Sequence, residues 1–328
     1  MSFLSKKPSM FNALSPSHLL HLSKLTLLAA CLSFQAASAS DAVPAPQTGN
    51  LAAPPSSQLP TTSNQPRIQE FVMTSRDGQD YQISISAPAD EPPPSGYGVM
   101  VVLDANAYFG TAANAMELIR QFPLVPEGGK LVETAPTLVV GVGYPKGQVI
   151  NGVRRTRDFL QPARNPASLE RLRGPQPGGA DAFTTFLTEE LRTAIAARFP
   201  VNAKRQTLAG HSLGASYVLQ VLAERPDAFQ RYVAISPAVW WDDSRILTDL
   251  ASARFGNAKV MLTMAQDEWP GWPVGSTEML DGARAVRDVL LKAGLPGEAL
   301  RYVEIRDQDH MTTPFAVMPM ATRFSALP

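Results

Sequence analysis

The chain has 328 residues, of which 45% are hydrophobic, and its 29 basic and 29 acidic side chains give a formal net charge of zero. That size and apolar content suffice for one large core or two small ones. The balanced charge gives no sign of a nucleic acid or of a membrane surface attracted by charge, and one cysteine excludes a disulfide within the chain.

The N-terminal segment has the pattern of a secretory signal peptide. Three lysines precede a short apolar run at residues 25–34, and a small-x-small site ends at Ala39. The run is shorter than the ~20 apolar residues that a membrane-spanning helix needs. We therefore expect export to the periplasm or beyond, with cleavage after Ala39. The alternative is a lipid anchor at Cys31, because residues 28–31 (LAAC) resemble the bacterial lipoprotein processing box.

Removal of the predicted signal peptide, residues 1–39, changes the net charge and the number of histidines and cysteines that could bind a metal. It takes away three lysines and no acidic residue, which leaves 26 basic and 29 acidic side chains and a formal charge of −3. Only His211 and His310 remain as histidines, and no cysteine remains, so we expect no metal site and no metal cofactor. Residues 40–66 are rich in proline, serine and threonine, which predicts a disordered linker. A single folded domain is then expected at residues 67–328.

Short apolar runs alternate with helical patterns along the predicted domain. Strands are predicted at residues 68–74, 80–87, 98–104, 136–142, 231–235, 259–265 and 301–305, and helices at residues 112–121, 181–198 and 277–293. Several strands are continuously apolar, which is typical of strands covered by helices on both faces. The alternation predicts a mostly parallel α/β sheet. Residues 144–180 are predicted to form a long functional loop.

The stretch around Ser212 organises the rest of the chain. Residues 210–214 read G-H-S-L-G, between an apolar run and a helix-forming run. In the nucleophile elbow of α/β-hydrolases, such a sequence turns a strand sharply into a helix and holds the serine exposed and strained. Both glycines are expected where the backbone passes close to neighbouring elements. The Leu213 N–H and the positive end of its helix would stabilise the oxyanion formed at Ser212.

A serine hydroxyl needs a base, and the base usually needs an acid to orient it. Consecutive side chains diverge at an elbow, so His211 is a poor partner for Ser212, and His310 beyond the last predicted strand remains by elimination. The order serine, acid, histidine places the acid after the strand at residues 259–265. Spacing admits both Asp267 and Glu268, with Asp307 and Asp309 as less favoured alternatives. The second oxyanion donor is expected from the loop at residues 104–107.

Longer phrases resemble the esterase D/antigen 85-like branch of the α/β-hydrolase superfamily. They are the elbow itself, RYVAISPAVWWDD at residues 231–243 and LDANAYF at residues 103–109. Within that branch, RRTRDFLQP at residues 154–162 and GGADAF at residues 178–183 are similar to the siderophore esterases that hydrolyse catecholate trilactones. The likeness runs from about residue 68 to 318. It implies an α/β-hydrolase fold with helices on both faces of the sheet, and a serine esterase that needs no cofactor.

The resemblance also implies roles for individual residues. It favours Glu268 over Asp267 as the acid, although some siderophore esterases use serine and histidine alone. The family's D-G-N phrase reads D-A-N at residues 104–106, which makes the N–H of Asn106 the second oxyanion donor. Arg155 corresponds to an arginine that contacts the substrate in this subgroup.

Basic and aromatic residues near predicted strand ends indicate a binding surface. Arg154, Arg155 and Arg157 suit an anionic or carbonyl-rich ligand, because guanidinium groups donate hydrogen bonds in a fork. Aromatic walls would suit catechol rings; the candidates are Trp240, Trp241, Trp269 and Trp272, with Trp241 as the predicted substrate contact. Packing of long loops is expected for at least one of Trp240 and Trp241.

These features together predict an exported serine carboxylester hydrolase. Its partner would be a small-molecule ester, and a ferric catecholate siderophore is the preferred substrate. One alternative is a general esterase acting on acyl or carbohydrate esters. An alternative of another class is a siderophore-binding protein without catalysis. No membrane span is expected.

Overall fold

The computed structural model describes residues 67–89, 91–145, 147–172, 176–268 and 276–328. The predicted signal peptide and linker lie outside those residues, as do Trp269 and Trp272. The strands are β1 (Arg67–Thr74), β2 (Asp80–Ala87), β3 (Tyr97–Leu103), β4 (Leu124–Glu127), β5 (Lys130–Glu133), β6 (Thr137–Gly143), β7 (Val201–His211), β8 (Arg231–Ile235), β9 (Lys259–Ala265) and β10 (Leu300–Ile305).

Helices connect most of these strands. They are α1 (Ala105–Gln121), α2 (Gly152–Phe159), α3 (Ala180–Thr185), α4 (Arg192–Ala196), α5 (Leu213–Glu224), α6 (Arg245–Ala251), α7 (Glu278–Lys292) and α8 (Thr313–Ala326). A π-helical segment, Phe186–Leu191, joins α3 to α4, so the helix predicted at residues 181–198 is three consecutive segments. Short 3₁₀ helices lie at Pro166–Arg171 and Gly297–Ala299. Within the described residues, no helix has both the length and the apolar content to cross a membrane.

Eight strands form the central sheet in the order β1-β2-β6-β3-β7-β8-β9-β10. β2 runs antiparallel to both of its neighbours, β1 and β6, whereas every pair from β6 to β10 is parallel. The prediction of a mostly parallel α/β sheet is confirmed. Because parallel strands end at one edge, the turns that follow β3, β7, β8, β9 and β10 lie together, and chemistry at strand ends can converge there.

Apolar side chains on both faces of the sheet explain the continuously apolar strands. In β3, Val99 and Val101 join the larger core cluster, which includes side chains of α3 and α5. The intervening Met100 and Val102 join a second cluster with side chains of α1 and α8. Successive side chains of a strand point to opposite faces, so a strand covered by helices on both sides must be apolar at every position.

Two regions differ from the sequence-based expectation. A β4–β5 hairpin, turning at Gly128 and Gly129 with positive φ angles, follows α1. The predicted loop at residues 144–180 contains α2, which begins at an Asn151 cap whose side chain accepts the Arg154 N–H at 3.0 Å. The spacing of apolar residues does not predict α2, because its buried face includes the charged residues Arg155 and Asp158.

Candidate active site

Ser212 lies in a strained turn between β7 and α5. Its φ of 59° and ψ of −120° fall in a region that side-chain-bearing residues rarely occupy. The turn is held because the Ser212 N–H donates to the Ile235 carbonyl at 3.0 Å. A Cβ at Gly210 would come within 2.5 Å of the Gly214 carbonyl oxygen, so only glycine fits there. The Gly214 backbone is thus the element that approaches Gly210 closely, whereas a Cβ added at Gly214 itself would meet only ordinary contacts at 3.4 Å or more.

His310 reaches Ser212 from the turn between β10 and α8. Its Nε2 lies 2.9 Å from Ser212 Oγ, which is within proton-transfer distance. Asp309 builds the turn: its Oδ1 accepts the N–H groups of Met311 at 2.8 Å and Thr312 at 2.9 Å. These hydrogen bonds, that of Thr312 foremost, hold the pKa of Asp309 below its usual range. Asp309 thus shapes the backbone that presents the imidazole.

Glu268 is the carboxylate at the other nitrogen of the imidazole. Its Oε2 lies 2.6 Å from His310 Nδ1, and the residue is only 6% exposed. Its Oε1 accepts the Ser236 hydroxyl at 2.6 Å and the Ala265 N–H at 3.0 Å. Asp267, the alternative acid, is exposed to solvent, and its own N–H lies 3.4 Å from a carbonyl in the facing turn. The structure brings Glu268, and not Asp267, to the histidine.

His211 packs beneath the reacting imidazole. It is 3% exposed, its ring centroid lies 4.6 Å from that of His310, and its Nδ1 lies 2.9 Å from the Tyr108 hydroxyl. Burial, together with the nearby His310 and Arg155, holds the pKa of His211 well below its usual range. A neutral ring in this place leaves His310 as the proton acceptor for Ser212.

Two backbone N–H groups are suited to an oxyanion. Those of Leu213 and Asn106 belong to the first turns of α5 and α1, where N–H groups have no intrahelical acceptor. The Asn106 side chain is fixed against the end of β6: its Oδ1 accepts the Tyr144 N–H at 2.8 Å and its Nδ2 donates to the Tyr144 carbonyl at 3.0 Å. Ala105, which replaces the family's glycine, is accommodated because its methyl lies against Gly141 of β6, where a second Cβ would be only 2.7 Å away.

The three predicted substrate-binding arginines contact groups of the protein itself. Arg155 is 9% exposed and donates from Nε and Nη2 to both carboxylate oxygens of Asp104, at 3.2 and 2.9 Å. Arg157 binds Asp77 at 2.6 Å and Asp158 at 2.5 Å. Arg154 donates to the Asp80 carbonyl at 3.3 Å and lies over the rings of Tyr81 and Tyr144. None of these contacts tests a role in substrate binding, so that role stays a prediction for all three arginines.

Trp241 is also part of the protein interior. It is 7% exposed and packs in the larger core cluster, so the structure gives Trp241 a packing role, and its predicted contact with substrate stays a prediction. Trp240 is partly buried, and the Arg171 guanidinium lies 4.5 Å from the centre of its ring. Sequence reasoning did not identify Ser236, although a polar residue directly after a buried strand at this edge of the sheet was the available signal.

Comparisons with known proteins identify the family of the chain. Residues 74–315 match the model of the protein family described as "Putative esterase". The ferri-bacillibactin esterase BesA of Bacillus subtilis is 33% identical over 271 residues, which cover 80% of this chain and 91% of that protein. A siderophore triacetylfusarinine C esterase of Aspergillus fumigatus is 31% identical over 255 residues, 74% of this chain and 82% of that protein.

Solved structures share the fold. The crystal structure of the BES protein from Bacillus cereus superimposes with a TM-score of 0.66 at 29% identity, covering 81% of this chain and 96% of that one. The siderophore hydrolase EstA from Aspergillus nidulans superimposes with a TM-score of 0.62 at 25% identity, covering 79% and 94%. The chain therefore belongs to this esterase family and has its α/β-hydrolase fold.

Proposed function

We propose that this protein hydrolyses the ester bonds of an iron-chelating siderophore, with a ferric catecholate siderophore as the preferred substrate. The observation that supports catalysis is the continuous line of contacts from Ser212 Oγ through His310 to Glu268, at 2.9 and 2.6 Å. The substrate class is supported by relatives named as esterases of ferri-bacillibactin, triacetylfusarinine C and enterobactin.

The proposed reaction is acyl transfer through a covalent intermediate. Ser212 Oγ attacks the ester carbonyl while His310 Nε2 takes its proton, and the Glu268 carboxylate stabilises the imidazolium that forms. The N–H groups of Leu213 and Asn106 would stabilise the tetrahedral oxyanion. The intermediate expels the alcohol, which receives the proton from His310. Water, activated by the same imidazole, then attacks the acyl-enzyme and regenerates Ser212 with release of the carboxylic acid.

A general carboxylesterase is the second candidate, and one observation favours it. A site for an anionic catecholate should contain cationic side chains that are available to bind it. Arg155 and Arg157 form ion pairs with carboxylates of the protein instead. A neutral ester would need no such cation. A siderophore-binding protein without catalysis is disfavoured. Ligand binding alone does not require a strained serine whose Oγ lies 2.9 Å from an imidazole nitrogen.

Product analysis on a panel of siderophores tests the proposal. The wild type is incubated with apo and iron-loaded catecholate and hydroxamate siderophores and with p-nitrophenyl acetate, and the products are separated by chromatography. We expect cleavage of a catecholate siderophore to its linear acid and no cleavage by Ser212→Ala. We expect normal cleavage by Ser252→Ala, which removes an exposed hydroxyl that donates to the Thr248 carbonyl of α6. Cleavage of the acetate alone would favour the general esterase, and binding of ferric siderophore without turnover would refute catalysis.

We also propose that the protein acts after export, in the periplasm or beyond. The basic and apolar N-terminal pattern and the small-x-small site that ends at Ala39 support this. Mass spectrometry of the mature protein from its native host would test it. A chain that begins at Ser40 indicates a signal peptide cleaved after Ala39, a diacylated Cys31 indicates a lipoprotein, and an intact Met1 contradicts export.

A further inference from the structure

Asp104 precedes α1 and has an unusual relation to it. An aspartate in this position ordinarily accepts a hydrogen bond from the N–H of the second or third helical residue, here Asn106 or Ala107. The Asp104 side chain makes no such bond. Its backbone carbonyl accepts the Ala107 N–H at 2.9 Å, and its φ of 50° and ψ of 46° are left-handed. The Asn106 N–H, the second oxyanion donor, is therefore left without the carboxylate that commonly takes it.

The Asp104 carboxylate binds Arg155 instead of the helix N-terminus. Its guanidinium forms a two-pronged contact with Asp104, through Nε to Oδ1 at 3.2 Å and through Nη2 to Oδ2 at 2.9 Å. The same Nη2 donates to the His211 carbonyl at 3.0 Å, one residue before Ser212. Asp104 is 2% exposed and Arg155 is 9% exposed, so solvent screens the pair weakly. One side chain thus joins the turn after β3 to the nucleophile elbow.

We propose that Arg155 is a positioning residue that keeps the Asp104 carboxylate off the Asn106 N–H and fixes the two oxyanion donors relative to each other. The inference rests on the proposed esterase function. Without the guanidinium, the buried carboxylate is free to cap the Asn106 N–H, which is an ordinary partner for a residue in this position, and capping that group would occupy the oxyanion hole. The His211 contact would also be lost, which frees the elbow from the α1 turn.

A positioning role for Arg155 differs from a substrate contact in a measurable way. An arginine that binds the charge of a siderophore affects only charged substrates, and chiefly their KM. A residue that prepares the oxyanion hole affects kcat for every ester, including a small neutral one, because the oxyanion forms in each reaction. Removal of one oxyanion donor typically lowers kcat ~10²- to 10³-fold.

The test measures kcat and KM of purified full-length variants on p-nitrophenyl acetate, with circular dichroism to establish the folded fraction. We expect Arg155→Met to lower kcat about 10²-fold with little change in KM. Adding Asp104→Gly should restore at least ~10-fold, because it removes the competing carboxylate and glycine tolerates the left-handed backbone. Arg76→Met is the matched control: it deletes an exposed arginine paired with Glu189, and kcat should equal that of the wild type.

Each outcome decides the inference. A kcat of Arg155→Met close to that of the wild type, or no gain in the double variant, overturns it. If Arg155→Met does not fold, Arg155→Lys keeps the buried charge but cannot form the fork, and a kcat equal to the wild type then overturns the inference. In these cases the wild type still hydrolyses the acetate, so catalysis by Ser212 stands although the inference about Arg155 fails. If the wild type shows no turnover that depends on Ser212, both the inference and the proposed function are refuted.

Discussion

The Glu268→Gln substitution tests whether the buried carboxylate directs the proton transfer. Glu268 Oε1 is held by the Ser236 hydroxyl and the Ala265 N–H, both of which donate. A glutamine should keep its carbonyl oxygen there and turn its NH₂ group toward His310 Nδ1. The imidazole must then accept at Nδ1 and carry its proton on Nε2, so it cannot take the Ser212 proton.

The expected loss follows from that wrong tautomer. The equivalent exchange of carboxylate for amide in the serine-protease triad lowers kcat about 10⁴-fold, and a 10⁴-fold loss corresponds to about 5.4 kcal/mol in the activation barrier. We therefore expect Glu268→Gln to lower kcat on p-nitrophenyl acetate by three to four orders of magnitude at neutral pH, with normal folding by circular dichroism. Asp267→Asn, one residue away and exposed, is the matched control and should retain wild-type kcat. A Glu268→Gln enzyme within about tenfold of the wild type, or an equal loss in the control, would refute the triad.

Three further predictions concern the support of the site. Gly210→Ala should lower the free energy of unfolding by about 1–3 kcal/mol, measured in urea, because its Cβ would overlap the Gly214 carbonyl; unchanged stability would contradict the close approach. Ser236→Ala removes one of the two donors to Glu268 Oε1 and should lower kcat about tenfold with KM unchanged, so a change confined to KM would contradict the positioning of the acid. His211 is buried with its pKa held well below the usual range, but the unfolded chain binds a proton there below about pH 6.5. Acidification below that pH should therefore reduce the free energy of unfolding, by at most about 1.4 kcal/mol per pH unit from this group. His211→Gln should make the dependence shallower, and an unchanged slope would contradict the assignment.

The sheet and its nucleophile could be predicted because their physical signals are local. A strand covered on both faces must be almost continuously apolar, as β3 is and as β6 is after Thr137. The elbow needs glycine where its backbone crosses the following helix, and Gly210 supplies it. His310 could be assigned as the base by elimination, since the described residues contain only His211 and His310 as histidines.

The remaining features depend on contacts between distant parts of the chain. Spacing could not separate Asp267 from Glu268, because adjacent residues differ only in which way the turn directs them. Helix α2 could not be predicted from apolar spacing, because two residues of its buried face, Arg155 and Asp158, are charged and form ion pairs. An arginine that reaches Asp104, 51 positions earlier in the chain, has no local signal that distinguishes it from a substrate ligand.

The most direct test of the central claim is to trap the acyl-enzyme. Wild-type protein mixed with ferric catecholate siderophore is quenched in acid within the first turnovers, digested and mapped by mass spectrometry. We expect the acyl group of the siderophore on the peptide that contains Ser212, and no adduct in Ser212→Ala. Turnover that persists in Ser212→Ala, or an acyl group bound to any other residue, would contradict it.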